Sequence, residues 1–149
     1  MPTGANLLQR AVADNTVCAY AALRIQMSRI TTIYVAIVDD DESLCRSFSR
    51  LLRAAGIQPV TYSSAEAFLA DVKQPQFGCL VLDIQLEGIS GIELARRLAA
   101  VGRHTPVIFV TAHDDPETHA AAEAVGFAAY FRKTDPGSEV LKAIRAVAA

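Results

Sequence analysis

Several things are scarce in this 149-residue sequence, and each scarcity closes a door. There are three cysteines, Cys18, Cys45 and Cys79. The number is odd, no C-x-x-C spacing occurs, and each sits among apolar neighbours, so a disulfide scaffold is excluded and buried free thiols of a reducing compartment are expected. Charge of one sign is also lacking: 14 basic residues stand against 16 acidic ones, a formal net charge of −2, and no run of five basic residues occurs. A nucleic-acid surface is therefore not the main function of this chain, and any DNA binding lies elsewhere. No uncharged apolar run approaches the roughly 18–20 residues of a membrane span. Gln9, Arg10, Asp14 and Asn15 break up any apolar stretch of a secretion signal, so a cytoplasmic protein is expected. Neither G-x-x-x-x-G-K-[ST] nor G-x-G-x-x-G is present, which removes the usual backbone cradle for a nucleotide.

What is there is the composition of one ordinary globular domain, 52% hydrophobic and 20% charged. A chain of about 150 residues buries roughly 68–70% of its unfolded surface, enough for a core without disulfides or structural metal. From Ile33 onward short apolar runs alternate with helical patterns. The runs are Ile33–Val38, Gln58–Tyr62, Cys79–Leu82, Pro106–Val110 and Ala128–Phe131. Five βα units around a parallel sheet follow, with strands covered on both faces. Leu44, Phe48, Leu51 and Leu52 fall at i, i+4, i+7 and i+8, the stripe of a helix packed on a sheet. Gly56, Gly102 and Gly126 stand where helices stop, a position at which positive φ favours glycine. Ser63-Ser64-Ala65-Glu66 and Ser90-Gly91-Ile92-Glu93 read as capping boxes, and Asp115-Pro116 as an N-cap followed by proline at the first helical position. Residues 1–32 carry no chemistry and are read as an extension, helical or disordered, ahead of a domain over 33–149. Met27 offers an alternative start.

In an open parallel sheet ligands bind beyond the carboxyl ends of the strands, so the residues that follow each strand carry the functional reading. Asp39, Asp40, Asp41 and Glu42 follow the first strand, Asp83 the third, Thr111 the fourth and, after Arg132, Lys133 the fifth. Carboxylates gathered at one edge repel unless a hard cation such as Mg²⁺ compensates them through oxygen coordination. Lys133 and Thr111 add a fixed positive charge and a hydroxyl suited to phosphoryl oxygens. Asp83, alone at its strand end, is the natural nucleophile, and its attack on phosphorus would give an aspartyl phosphate.

With these residues in place, the sequence resembles the receiver domain of two-component response regulators. The resemblance runs over residues 33–148 and rests on VAIVDDDESL, CLVLDIQLEGISGIEL, PVIFVTAHDD and AAYFRKTD, in the family's order and approximate spacing. It implies a doubly wound, flavodoxin-like α/β fold with five parallel strands in the order 2-1-3-4-5. It also implies that Asp83 is the phosphoacceptor, that Asp40 is a direct Mg²⁺ ligand with Asp39 assisting through water, and that Gln85 offers the metal a backbone carbonyl. The phosphoryl group would come from the phosphohistidine of a sensor kinase or a phosphotransfer protein. Lys133 and Thr111 would then engage it, and Tyr130 would change rotamer with them. The only catalysis expected is self-catalysed phosphorylation and dephosphorylation. A downstream protein target and a homodimer are the further partners, and the motif wording is that of receivers placed ahead of helix-turn-helix regulators.

Two positions depart from the family pattern. Glu87 precedes Gly88 where a proline is usual, which adds negative charge and is expected to loosen the loop. Thr134 follows Lys133 where a cis-proline is usual, so a trans peptide and a shifted last loop are expected, since a cis bond to a non-proline costs about 2.5–4 kcal/mol. His113, two residues after Thr111, either borders the phosphoryl entry path or is a solvated loop residue, and His104 and His119 show no metal-ligand spacing. Three other readings compete with the switch: a receiver-shaped interaction module that no longer phosphorylates, a haloacid-dehalogenase-type phosphohydrolase, and a flavodoxin-like FMN binder. The second would need Asp39-Asp40-Asp41-Glu42-Ser43 to serve as D-x-D-x-[TV], which it does not match. The third would need a serine- and threonine-rich loop after the first strand, which is absent.

Overall fold

The computed structural model describes residues 31–148. The extension expected over 1–32, and Cys18 with it, lies outside the described residues except for Thr31 and Thr32. Five βα units follow one another: β1 (Tyr34–Val38), α1 (Glu42–Ala54), β2 (Gln58–Tyr62), α2 (Ala65–Ala70), β3 (Phe77–Asp83), α3 (Gly91–Ala100), β4 (Val107–Thr111), α4 (Pro116–Val125), β5 (Ala129–Arg132) and α5 (Gly137–Val147). All pairings are parallel and the strand order is β2-β1-β3-β4-β5, as expected.

Alternation along the strands distributes the side chains between two layers. Val35 and Ile37 of β1 point to one face, where they join Cys45 and Leu52 of α1 and Val140 and Ile144 of α5. Ala36 and Val38 point to the other, with Phe68 of α2, Leu94 and Leu98 of α3 and Ala122 of α4. Burial on both faces holds for the central strands. The outer strands are half-buried: β2 exposes Gln58 and Thr61, and β5 exposes Arg132. Pro59 sits in edge strand β2, where a missing N–H is tolerated. Strand β3 starts two residues earlier than the apolar run suggests, at Phe77, because Phe77 is buried and pairs with Tyr34. In α1 the buried face is Cys45, Ser49 and Leu52, while Leu44, Phe48 and Leu51 are half-buried.

The helix signals hold with one correction. Asp115 caps α4 by accepting from the Thr118 N–H, with Pro116 behind it, and Ser90 caps α3 by accepting from the Glu93 N–H. For α2, however, the cap is Ser64, which accepts from the Ala67 N–H. Glu66 is therefore one position too early to complete a capping box from Ser64, and its carboxylate goes elsewhere. Gly56, Gly102 and Gly126 have φ of 79°, 77° and 93°, the left-handed region expected of them.

Gly91 is required for a different reason. A Cβ there would stand 2.2 Å from the Asp83 carbonyl oxygen and 2.9 Å from its carbonyl carbon, both backbone atoms that cannot give way. Helix α3 thus starts directly beneath the end of β3. Gly91→Ala is expected to destabilise the domain by about 1–3 kcal/mol, the range of an overpacked core, read as a lower urea midpoint. An unchanged midpoint would show that the two elements are not held this closely.

Candidate functional site

Sheet register brings the site together. In the β1–β3 ladder Val38 pairs with Leu82, so Asp39 and Asp83 lie side by side one residue further on. Strands β1 and β3 are also where the strand order reverses, the crevice at which such sheets bind ligands. On the next ladders Asp83 pairs with Val110 and Thr111 with Arg132. Thr111 and Lys133 therefore reach the same edge, and the Lys133 N–H donates to the Thr111 carbonyl at 2.8 Å.

The three consecutive aspartates do three different things. Asp39 is buried at 4% exposure, and its Oδ1 accepts from the Asp41 N–H at 2.9 Å. Asp40 is exposed, yet carboxylate oxygens of Asp39, Asp40 and Asp83 all lie within 4.8 Å of one another. Asp41 caps α1, accepting from the Leu44 N–H at 3.1 Å. The helix-end role that any of these residues could have filled falls to Asp41, which leaves Asp39 and Asp40 for the pocket.

Asp83, 2% exposed, repeats the geometry of Asp39: its Oδ1 accepts from the N–H two residues on, that of Gln85, at 3.1 Å. Lys133 joins the two acids. Its ammonium donates to Asp83 Oδ2 at 3.0 Å and stands 3.1 Å from Asp39 Oδ2. Burial, and then the neighbouring Asp39 charge, hold the Asp83 carboxyl above the usual carboxylate range, at about 6. Burial works against the Lys133 charge, but its hydrogen bonds to Asp83 and Asp39 outweigh that effect and raise its pKa. An oxygen-only donor set with two buried acids suits a hard divalent cation.

Neither departure from the family pattern opens the site. Although Thr134 takes the place of proline, the Lys133–Thr134 peptide is trans and Lys133 reaches both acids. Asp135 closes this turn by accepting from the Arg132 N–H at 2.8 Å, while its own N–H donates to the Arg132 carbonyl at 3.0 Å. The loop carrying Glu87 and Gly88 is not loose. Glu66 Oε1 accepts from the Ile89 N–H at 2.7 Å, and the N–H groups of Leu86 and Gly91 both donate to the Ile84 carbonyl at 3.2 Å. Gly88, at φ 75°, leaves room for the Glu66 carboxylate, which a Cβ would meet at 2.3 Å. Spacing rules assign Glu66 to a capping box and pass over Asp135, because the one works across a tertiary contact and the other within a turn.

Thr111 is fully buried and spends its hydroxyl locally. The group stands 2.8 Å from both Gln85 Oε1 and the His113 carbonyl as donor, and accepts from the His113 N–H at 3.1 Å. His113 thus enters the site through its backbone. Tyr130 is half-buried and donates to Asp114 Oδ1 at 3.3 Å. Asp114 Oδ2 also accepts from Arg132 Nε at 2.9 Å. His119 sets its ring 4.5 Å from that of Tyr130, tilted by 55°, and pairs with Glu123 at 3.1 Å. Cys45 and Cys79 are free and buried, as expected; the Cys45 thiol donates to the Asp39 carbonyl, and burial raises its pKa to about 11. No helix among the described residues is long and apolar enough to cross a membrane.

Comparison with known proteins agrees with this fold. The family described as response regulator receiver domain matches residues 35–145. The chain is 36% identical over 124 residues to the response regulator protein TodT of Pseudomonas putida, covering 83% of this chain and 54% of that protein. It is 35% identical over 112 residues to the transcriptional regulatory protein FixJ of Azorhizobium caulinodans, covering 75% and 53%. The chain spans about half the length of the curated relatives it matches. Among solved structures, a response regulator receiver protein from Burkholderia phymatum superposes with a TM-score of 0.68 at 41% identity, covering 78% of this chain and 95% of that one.

A nearby divalent cation favours the ionised form of a carboxyl, so added Mg²⁺ is expected to lower the proton affinity of Asp83. Carboxyl ¹³C NMR of the metal-free protein should show Asp83 titrating near pH 6. Saturating Mg²⁺ should lower that midpoint by roughly a unit or more. A midpoint indifferent to Mg²⁺ would remove Asp83 from any cation site.

Proposed function

The chain belongs to the response regulator receiver family of two-component signalling, and from that premise we propose that it accepts a phosphoryl group from a kinase phosphohistidine onto Asp83 and so switches a protein-binding surface. The observation that carries this reading is the Asp39–Asp83–Lys133 cluster, with Asp40 within reach and Thr111 on the adjacent strand end. Two buried acids held against a lysine count against a module that has given up phosphorylation. Asp39, Asp40, Asp83 and the backbone carbonyl of Gln85 are the groups that would hold Mg²⁺, with Asp39 assisting. When bound, the ion supplies charge compensation for the carboxylates and for the incoming phosphoryl oxygens.

Asp83 acts as nucleophile. Its carboxylate oxygen forms a bond to phosphorus while the phosphorus–nitrogen bond of the donor breaks, the electron pair leaving with the imidazole. Lys133 already touches the reacting carboxylate, so its ammonium is in place to pair with a phosphoryl oxygen as charge builds there. Thr111 donates its hydroxyl to another of those oxygens, and Tyr130 changes rotamer as the loop between them follows. Transfer and loss of the phosphoryl group are self-catalysed steps, and no second substrate is turned over. The partners are a sensor kinase or phosphotransfer protein, a downstream protein target and a second receiver, in the cytoplasm.

Incubation with acetyl phosphate followed by intact-mass measurement tests the chemistry. One added phosphoryl group is expected on the wild type only when Mg²⁺ is present and none on Asp83→Asn; equal labelling of that variant would refute Asp83 as the acceptor. Lys133→Ala is expected to retain some phosphorylation while the Tyr130 amide resonance stays at its unphosphorylated position. A full wild-type shift in that variant would show that Lys133 does not transmit the signal.

A further inference from the structure

The Gln85 side chain has no role in the account so far, yet it occupies an unusual place. Its carboxamide meets two donors of the strand-end loop after β4, the Thr111 hydroxyl at 2.8 Å and the Ala112 N–H at 3.2 Å. The orientation of that amide is fixed by chemistry. A backbone N–H can only donate, so the carboxamide atom facing Ala112 is the oxygen and not the NH₂ group. Both contacts therefore converge on one acceptor oxygen, beside the aspartate whose own carboxylate is bound by the Gln85 N–H. A hydroxyl and an adjacent backbone N–H aimed at one oxygen make a small anion-binding fork.

We propose that Gln85 is a positioning residue that acts through Thr111 and Ala112: its carboxamide oxygen stands in for a phosphoryl oxygen while Asp83 is unmodified, and must be displaced before the strand-end loop can close on the phosphoryl group. The Thr111 hydroxyl has one proton, and Gln85 Oε1 and the His113 carbonyl share it. None is left for a third acceptor until Gln85 lets go and the loop carries the His113 carbonyl off that proton. The exchange runs forward because a charged oxygen accepts a hydrogen bond about twice as strongly as a neutral one. It starts against an opposing hold, so the unmodified protein resists closing on a weak or transient anion. No covalent bond changes; two hydrogen bonds pass from the amide oxygen to the phosphoryl oxygen, and the amide turns to water. This inference rests on the proposed phosphorylation of Asp83.

The test is to replace the amide with a side chain of similar length that accepts hydrogen bonds poorly. Binding of beryllofluoride, a phosphoryl analogue, is measured with Mg²⁺ present for wild type, Gln85→Met and Gln85→Ala. In parallel, hydrogen exchange at the Ala112 amide is read in the metal-free, ligand-free proteins. Both variants are expected to bind beryllofluoride roughly three- to tenfold more tightly, the effect of freeing a donor pair from a neutral acceptor. Their free Ala112 amides are expected to exchange faster than in the wild type. A Gln85 that merely braced the loop, or that itself donated to the phosphoryl group, would give the opposite sign, weaker binding in both variants, and that result overturns the inference. So does unchanged Ala112 exchange. If the wild type binds no beryllofluoride, the phosphoacceptor reading itself falls and this inference with it. The exchange measurement needs no ligand and still shows whether Gln85 holds the loop.

Discussion

The contact on which the rest of this molecule depends is the Lys133 ammonium between two buried carboxylates, those of Asp39 and Asp83. At about 3 Å, with the effective dielectric of a partly buried site, each attraction is on the order of 5 kcal/mol before desolvation is subtracted. Removing one partner of such a buried set typically costs about 3–5 kcal/mol, because it leaves a buried charge uncompensated. The three groups come from the ends of β1, β3 and β5, so the carboxyl edge of the sheet has to be assembled correctly for any of them to be neutralised. One cation cannot fully satisfy two acids, and with Asp40 alongside the pocket keeps excess negative charge. The fold thereby holds an acidic, oxygen-only site of the kind that suits a hard cation.

Local hydrogen bonds hold that charge in place where the family pattern would use rigid prolines. Glu66 reaches from α2 to the Ile89 N–H, Gly88 clears the space for it, and Asp135 closes the turn after Lys133. A carboxylate accepting a backbone N–H is a directional constraint on a loop, much as a fixed φ is, but it can be released. That suits a surface meant to exist in two states.

Between site and surface runs a short, continuous path. Thr111 is bonded to the backbone of His113, the next residue is Asp114, and Asp114 holds both the Tyr130 hydroxyl and Arg132, with the His119 ring against Tyr130. These contacts link Thr111 to the chain that anchors Tyr130.

The order of elements, the two-faced burial of the central strands and the gathering of Asp39, Asp40, Asp83 and Lys133 at one sheet edge were all legible in the linear chain. Apolar runs recur at the spacing of βα units, and chemistry-bearing residues stand immediately after the strands, where a parallel sheet must present them at one edge. Caps that act within one turn, such as Asp115 and Ser90, were equally legible, because both partners lie three residues apart. What only the tertiary structure decided depends on contacts between distant segments. Nothing local to Ser63 through Glu66 reveals that Glu66 serves a loop 23 residues away. Likewise, which aspartate of three would cap the helix, that Asp114 would gather Tyr130 and Arg132, and that the Gln85 amide would engage Thr111 were settled by strand register and loop path. Periodicity reports the environment of a residue averaged over an element. The partner of a polar side chain is set by angstrom-scale geometry that exists only once the strands have paired.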